Sequence, residues 1–155
     1  MKKNFYDVII VGTGVAGCFT ALHLPKEKKV LMITKGELEE SNSCLAQGGI
    51  CVQKDEEDYQ SFFEDTMRAG HYENDPRSVD IMIRSSREVI DELISFGVEF
   101  EKKDGEFLYT KEGAHSTNRI LYHEDLTGKE ITTKLLAQVK QLEQVDLLEH
   151  TAMMD

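Results

Sequence analysis

Three glycines in the run GTGVAG, Gly12, Gly14 and Gly17, have the spacing to hold a dinucleotide pyrophosphate. Gly12 lets the chain turn tightly, Gly14 leaves room for a phosphate to approach the backbone, and Gly17 lets a helix pack close to a strand. The helix that follows adds N–H donors and a partial positive charge. Thr13, Val15 and Ala16 complete the loop. A fingerprint of this kind expects an acid at the end of the second strand, for a ribose hydroxyl. The run ITKGE puts Thr34 and Lys35 there instead, with Glu37 a little later. Lys35 suits the 2′-phosphate of NADP, contact with an adenosine ribose, or simple solvation at a strand end. A second concentration of chemistry is TKEGAHSTNRILYH, which brings Thr110, Glu112, His115, Ser116, Arg119 and His123 close together. These types suit a hydrolytic or acid–base site, and equally a solvated loop with internal hydrogen bonds. A serine beside a histidine in sequence is not thereby a catalytic pair. Between the two lies NSCLAQGGI, an uncharged, small-residue segment in a charge-rich chain.

The elements that must position these groups are legible. Val8 to Val11 form an uninterrupted apolar run that reads as a fully buried strand. Val15 to Leu24 fit a helix ended by Pro25, and Lys29 to Thr34 a second buried strand. Strand, glycine turn, helix and strand make a right-handed βαβ unit with parallel strands. Asp55 is the expected cap of a helix running to Ala69 and stopped by Gly70. Asp75 caps the next, with Pro76 in its first position and Gly97 at its end. VEFEKKDGEFLYT reads as a hairpin turning at Asp104-Gly105. Ile131 to Leu142 is a further amphipathic helix, and VDLLEH a third sheet strand. The fold class is α/β, a Rossmann-like nucleotide-binding domain with a parallel central sheet, helices and an inserted hairpin. No domain boundary shows within residues 1–155. The architecture is expected to continue beyond Asp155.

The chain has 155 residues, 40% of them hydrophobic, and a net charge of −11. That balance suits a globular domain. It disfavours binding to nucleic acid or to anionic membranes, which reward basic surface. No apolar run is long enough to cross a bilayer, and MKKNFYDVIIVG leads into a glycine loop rather than a cleavage site, so a cytoplasmic location is expected. Cys18, Cys44 and Cys51 form no C-x-x-C pair, so neither disulfides nor a metal site are expected.

DVIIVGTGVAG, VLMITKG, SNSCLAQGGI, FFEDTMRAG, LISFGVEF and TKEGAHSTNRILYHEDLTGKEI, taken in order, resemble the fumarate reductase and succinate dehydrogenase flavoprotein superfamily, the L-aspartate oxidases most of all. The resemblance implies a Rossmann-like FAD-binding domain. Gly12, Thr13, Gly14, Val15, Ala16 and Gly17 would lie under the FAD pyrophosphate, with Lys35 on the adenosine half. Asn42, Ser43, Cys44, Leu45, Ala46, Gln47, Gly48 and Gly49 would run toward the isoalloxazine ring. Respiratory relatives carry a histidine five residues before the glutamine of AQGG and bond it covalently to the flavin. Here that position is Asn42, so the resemblance implies noncovalent FAD.

The resemblance also gives Glu112 the task of orienting the substrate through its amino group, and places His115, Ser116 and Arg119 near flavin and substrate. Gly113-Ala114 departs from a family glycine pair. The implied reaction oxidises L-aspartate to iminoaspartate, with hydride leaving Cα for flavin N5. Electrons then pass to oxygen or fumarate, and the product is handed to quinolinate synthase toward NAD. The remaining substrate ligands, a capping domain and a second FAD-binding stretch are expected beyond Asp155, so the chain alone is expected to be inactive. The rivals are a fumarate reductase-like dicarboxylate oxidoreductase and a noncatalytic nucleotide-binding module.

Overall fold

The computed structural model describes residues 5–154, so the two lysines that open the chain and Asp155 lie outside it. In chain order the elements are β1 (Val8–Val11), α1 (Val15–His23), β2 (Val30–Ile33), β3 (Ile50–Cys51), α2 (Asp58–Ala69), α3 (Pro76–Ser95), β4 (Lys102–Lys103), β5 (Glu106–Phe107), β6 (Ile120–Leu121), α4 (Thr127–Val139) and β7 (Val145–Leu148). They form two compact units, one from residues 1–46 and 128–155 and the other from residues 47–127. No change of composition marks either crossing.

The first unit is built on a parallel sheet in the order β1-β2-β7, in register from Val8↔Val30 and Val30↔Val145. Parallel pairing of β1 with β2 is the βαβ arrangement expected of the glycine turn. Val30, Met32 and Ile33 of the central strand are buried, as are Cys18 and Ala21 of α1 and Leu135, Leu136 and Val139 of α4. β1 corrects an expectation. Its apolar run is not buried throughout, because Ile9 is 60% and Val11 54% exposed while Ile10 is buried. The cause is its place at the sheet edge. Alternate side chains of a strand point to opposite faces, and at this edge the face shared by Ile9 and Val11 is left exposed although Ile33, the partner of Val11 on the central strand, is buried.

α4 begins a turn before the expected Ile131 and ends at Val139. Gly128 lies inside it and looks like a breaker in the sequence. Its backbone explains the choice: a Cβ there would collide with the Ser43 and Ala46 carbonyls, and its N–H donates to Ala46 O at 3.0 Å. This close approach fixes the 43–46 segment on the start of α4.

In the second unit α2 packs on α3 around buried Phe62, Met67, Val79 and Ile83, with Cys51, Tyr59 and Phe63 against them. The predicted signals hold at α3, but α2 starts at Asp58 with Glu57 as its N-cap and no side-chain cap bond, so Asp55 braces the turn before the helix rather than capping it. Asp55 Oδ1 accepts the Asp58 N–H at 2.8 Å, and Asp75 Oδ1 the Ser78 N–H at 2.7 Å, with Pro76 first in the helix. Gly97 has φ +93°, which turns the chain out of α3. β4 and β5 pair antiparallel across Asp104 and Gly105, at φ +55° and +89°. Two short strands were not expected. β3 pairs antiparallel with β6, and Gly49 beside them has no room for a Cβ, which would strike Ile120 and the Leu121 carbonyl.

Candidate functional site

The glycine loop joins β1 to α1 in the first unit. Gly12 has φ +104°, and a Cβ there would meet nothing, so its demand is conformational. Gly17 has the opposite problem, since a Cβ would run into the Gly12 carbonyl and approach Met32 Cε to 3.1 Å. It is the close-packing glycine that the spacing predicted. Gly14 caps α1 without a side chain to offer its N–H groups. One of them is met from the neutral segment, where Ser43 Oγ accepts the Val15 N–H at 3.2 Å. Ser43 therefore lies against the loop.

Thr13 is 1% exposed, and its hydroxyl has no hydrogen-bond partner among the described residues. A buried donor left over in a phosphate-type loop fits an acidic ligand oxygen. Lys35 stands exposed just after β2, with no carboxylate in the ribose position. Cys18 has its thiol on the Thr13 carbonyl at 3.2 Å, and burial pushes that thiol up to about 11, so it is a packing residue. These residues suit the pyrophosphate of a dinucleotide such as FAD. Within the neutral segment, the N–H groups of Cys44 and Ala46 donate to Ser41 O and Ser43 O at 3.0 and 3.3 Å, and those two are thus spent on turns. Asn42 and Leu45 are exposed. Gln47, Gly48 and Gly49 fall in the second unit.

The second unit holds a cavity of about 860 Å³. Its wall includes Gly48, Cys51, Phe62, Met82, Glu112 and His115. Glu112 and Gly48 also line a smaller cavity of about 440 Å³. A Cβ on Gly48 would come within 3.2 Å of Glu112 Oε2, so the glycine leaves that carboxylate its position. Glu112 has no ion-pair partner among the described residues.

Arg119 is not on this wall. It is fully buried, and its guanidinium pairs with Asp58 at 2.8 Å and Asp65 at 2.7 Å while lying over the Phe62 ring at 4.8 Å. Asp65 is shared with Arg68 at 2.7 Å. Two carboxylates and two cations thus balance. Such a buried group can hold its neighbours in place but has no surface to offer a substrate. Ser116 is drawn into the same cluster, giving its N–H and its hydroxyl to Asp65, both at 2.7 Å. Burial pushes the Asp65 carboxyl up, but the Ser116 N–H and the Arg119 guanidinium outweigh it and hold it well below the carboxylate range. Asp58 is lowered in the same way, burial being overcome chiefly by Arg119. The loop is therefore an ordered network anchored on α2. Asp58 and Asp65 were missed in the sequence, where they read as ordinary helix-face acids.

His115 joins the network to the cavity. Its Nδ1 is 3.0 Å from Arg119 Nη1, its Nε2 is 3.2 Å from Cys51 Sγ, and its ring meets Phe62 edge-on at 5.9 Å. Burial and then the Arg119 charge lower its pKa, against the pull of Asp65 and Asp58. Cys51 is raised, by burial first, with Arg119 opposing and Glu112 adding. His123 offers its backbone N–H to Thr127 Oγ1 at 3.0 Å and lines neither cavity. Among the described residues no cluster could hold a metal, and no helix is long and apolar enough to cross a membrane.

A family model described as an FAD binding domain matches residues 7–155. The chain is 45% identical to L-aspartate oxidase of Clostridium perfringens over 153 residues, covering 99% of this chain and 35% of that protein. It is 45% identical to L-aspartate oxidase of Clostridium acetobutylicum over 150 residues, covering 96% and 35%. The chain thus spans about a third of the length of these curated relatives. Among solved structures, an Escherichia coli quinol fumarate reductase superposes with a TM-score of 0.87 at 23% identity, covering 95% of this chain and 26% of that one. Mycobacterium smegmatis Sdh1 superposes at 0.82 with 25% identity, covering 98% and 28%. The fold of these two proteins is the fold found here.

Proposed function

The chain belongs to the FAD binding domain family, and from that membership we propose that it serves the FAD-dependent oxidation of L-aspartate to iminoaspartate, with oxygen or fumarate taking the electrons. The observation that carries this reading is Glu112. The charged side chains on the larger cavity's wall, apart from the imidazole of His115, are Glu112 and Asp65. Asp65 is spent on Arg68 and Arg119. Glu112 is left to receive a cation, which suits the ammonium group of an amino acid. The likeness to about a third of the length of two L-aspartate oxidases supports aspartate as that amino acid.

In this reading Gly12 to Gly17, with Ser43 beside them, hold the FAD pyrophosphate, and Lys35 faces its adenosine half. Bound FAD would supply the acceptor for the two electrons that leave aspartate as its Cα–N bond becomes an imine. Glu112 holds the ammonium and so sets the orientation of Cα. Arg119 acts by fixing His115 and Ser116 rather than by touching substrate. Asn42 has an amide where a histidyl linkage would need an imidazole, so the cofactor is held noncovalently. Protein denatured without proteolysis should release intact FAD, and flavin mass remaining on the polypeptide would refute this part. Iminoaspartate is an unstable imine, which gives a hand-off to quinolinate synthase its chemical purpose.

Glu112→Gln in the whole protein tests the assignment. A charged hydrogen bond to the ammonium is worth about 1.5–3 kcal/mol. We expect aspartate-dependent peroxide formation to fall about 10- to 100-fold in kcat/KM, with the flavin spectrum unchanged. Undiminished kcat/KM would remove Glu112 from the substrate site.

A further inference from the structure

All five N–H donors of Arg119 are committed. Nε faces both Asp58 oxygens at 3.3 Å, and Nη2 donates to Asp58 Oδ1 at 2.8 Å and Ser61 Oγ at 2.7 Å. Nη1 gives one hydrogen to Asp65 Oδ2 at 2.7 Å, and its other faces His115 Nδ1 at 3.0 Å. A guanidinium has no acceptor and keeps its protons at any ordinary pH. His115 Nδ1 must therefore be the bare, accepting nitrogen. A neutral ring then carries its proton on Nε2. That proton is directed at Cys51 Sγ, a weak acceptor, on the cavity wall.

We propose that Arg119 locks His115 as the neutral Nε2–H tautomer, and that His115 serves the cavity as a fixed hydrogen-bond donor to a carboxylate oxygen of the ligand, Cys51 being only its resting acceptor. His115 is then not a base. Taking a second proton would place it on Nδ1, against a guanidinium hydrogen. For the same reason Cys51 and His115 do not form a thiolate–imidazolium pair, since the imidazole has no free nitrogen to accept the thiol proton.

The groups that face the ring are consistent with this. α2 supplies Asp58 and Asp65, which favour the charged ring, but both are engaged by Arg119. β3 supplies Cys51. The 110–119 loop supplies Arg119, with Glu112 on the same cavity wall. Burial and Arg119 prevail, and His115 is lowered. The ligand class rests on the reading of the cavity as the aspartate site; the tautomer does not.

The test is long-range 1H–15N spectroscopy of the 15N-histidine-labelled protein, with His115 assigned through the shift of its Nε2 signal in Cys51→Ala. Between about pH 5.5 and 8 His115 should show a protonated Nε2 and a bare Nδ1, in the wild type and in Cys51→Ala alike. Its titration midpoint should lie below the ordinary 6.5. Succinate, a dicarboxylate with no amino group to oxidise, should move the Nε2–H resonance. A proton on Nδ1, or a midpoint at or above 6.5, would overturn the lock. A held tautomer that no dicarboxylate perturbs would overturn the donor role. Loss of aspartate oxidation with the tautomer intact would count against the proposed reaction and leave the lock standing.

Discussion

Arg119→Leu should lower the stability of the protein at pH 7 by about 3–5 kcal/mol, read as a shift in the urea midpoint with little change in slope. The loss comes from what is left behind. Asp58 and Asp65 have side chains 4% and 3% exposed, and without the guanidinium their charges have no compensation inside. The acid dependence should change sign as well. In the wild type the folded-state pKa of Asp65 is depressed. The stability it contributes is present above the ordinary carboxylate value and lost as the pH falls below about 4. In Arg119→Leu the same buried carboxyls lose the partner that overcomes burial, and their pKa values rise. The variant should then gain stability on moving from pH 7 toward pH 5, while the wild type does not. Adding Asp58→Asn and Asp65→Asn to Arg119→Leu should recover part of the loss at pH 7. A variant as stable as wild type would show that the cluster contributes little and that Arg119 is available for other work.

Gly17→Ala should do more harm than Gly14→Ala, although both remove a fingerprint glycine. The new methyl at position 17 lands on the Gly12 carbonyl and Met32, where relief requires moving α1 off β1. Overpacking of this kind costs about 1–3 kcal/mol, and the shift in α1 displaces the N–H groups meant for phosphate. We expect loss of stability together with loss of FAD. At position 14 the methyl meets the Ser43 hydroxyl at 2.9 Å, a group that can rotate away. There we expect near-normal stability with weakened FAD binding. Thermal unfolding alongside flavin absorbance of the purified proteins separates the two. Equal effects would mean that the two glycines do not divide packing from ligand approach.

What could be read in the sequence was what local chemistry determines. The glycine turn, the cap at Asp75, the stop at Gly97 and the Asp104-Gly105 turn each depend on residues a few positions apart, and all stand where expected; at α2 the helix starts at Asp58, later than the expected cap at Asp55. The features that were not legible depend on distant partners. β3 and β6 are two residues each and exist because Ile50 meets Leu121. Gly128 looks like a helix breaker until the carbonyls of Ser43 and Ala46 are placed over it. Arg119 looks like a catalytic cation in a polar loop. Its burial is decided by Asp58 and Asp65 on α2, which nothing near Arg119 announces. Strand β1 was over-read for a related reason: an apolar run shows what can be buried, but the elements around it decide which face is covered.

The most direct test is anaerobic titration of the whole protein's flavin with L-aspartate. The oxidised flavin absorbance should bleach in proportion to aspartate added, with one iminoaspartate formed per flavin reduced. Oxygen or fumarate should then restore the colour. A protein that carries FAD yet stays fully oxidised in excess L-aspartate would contradict the assignment.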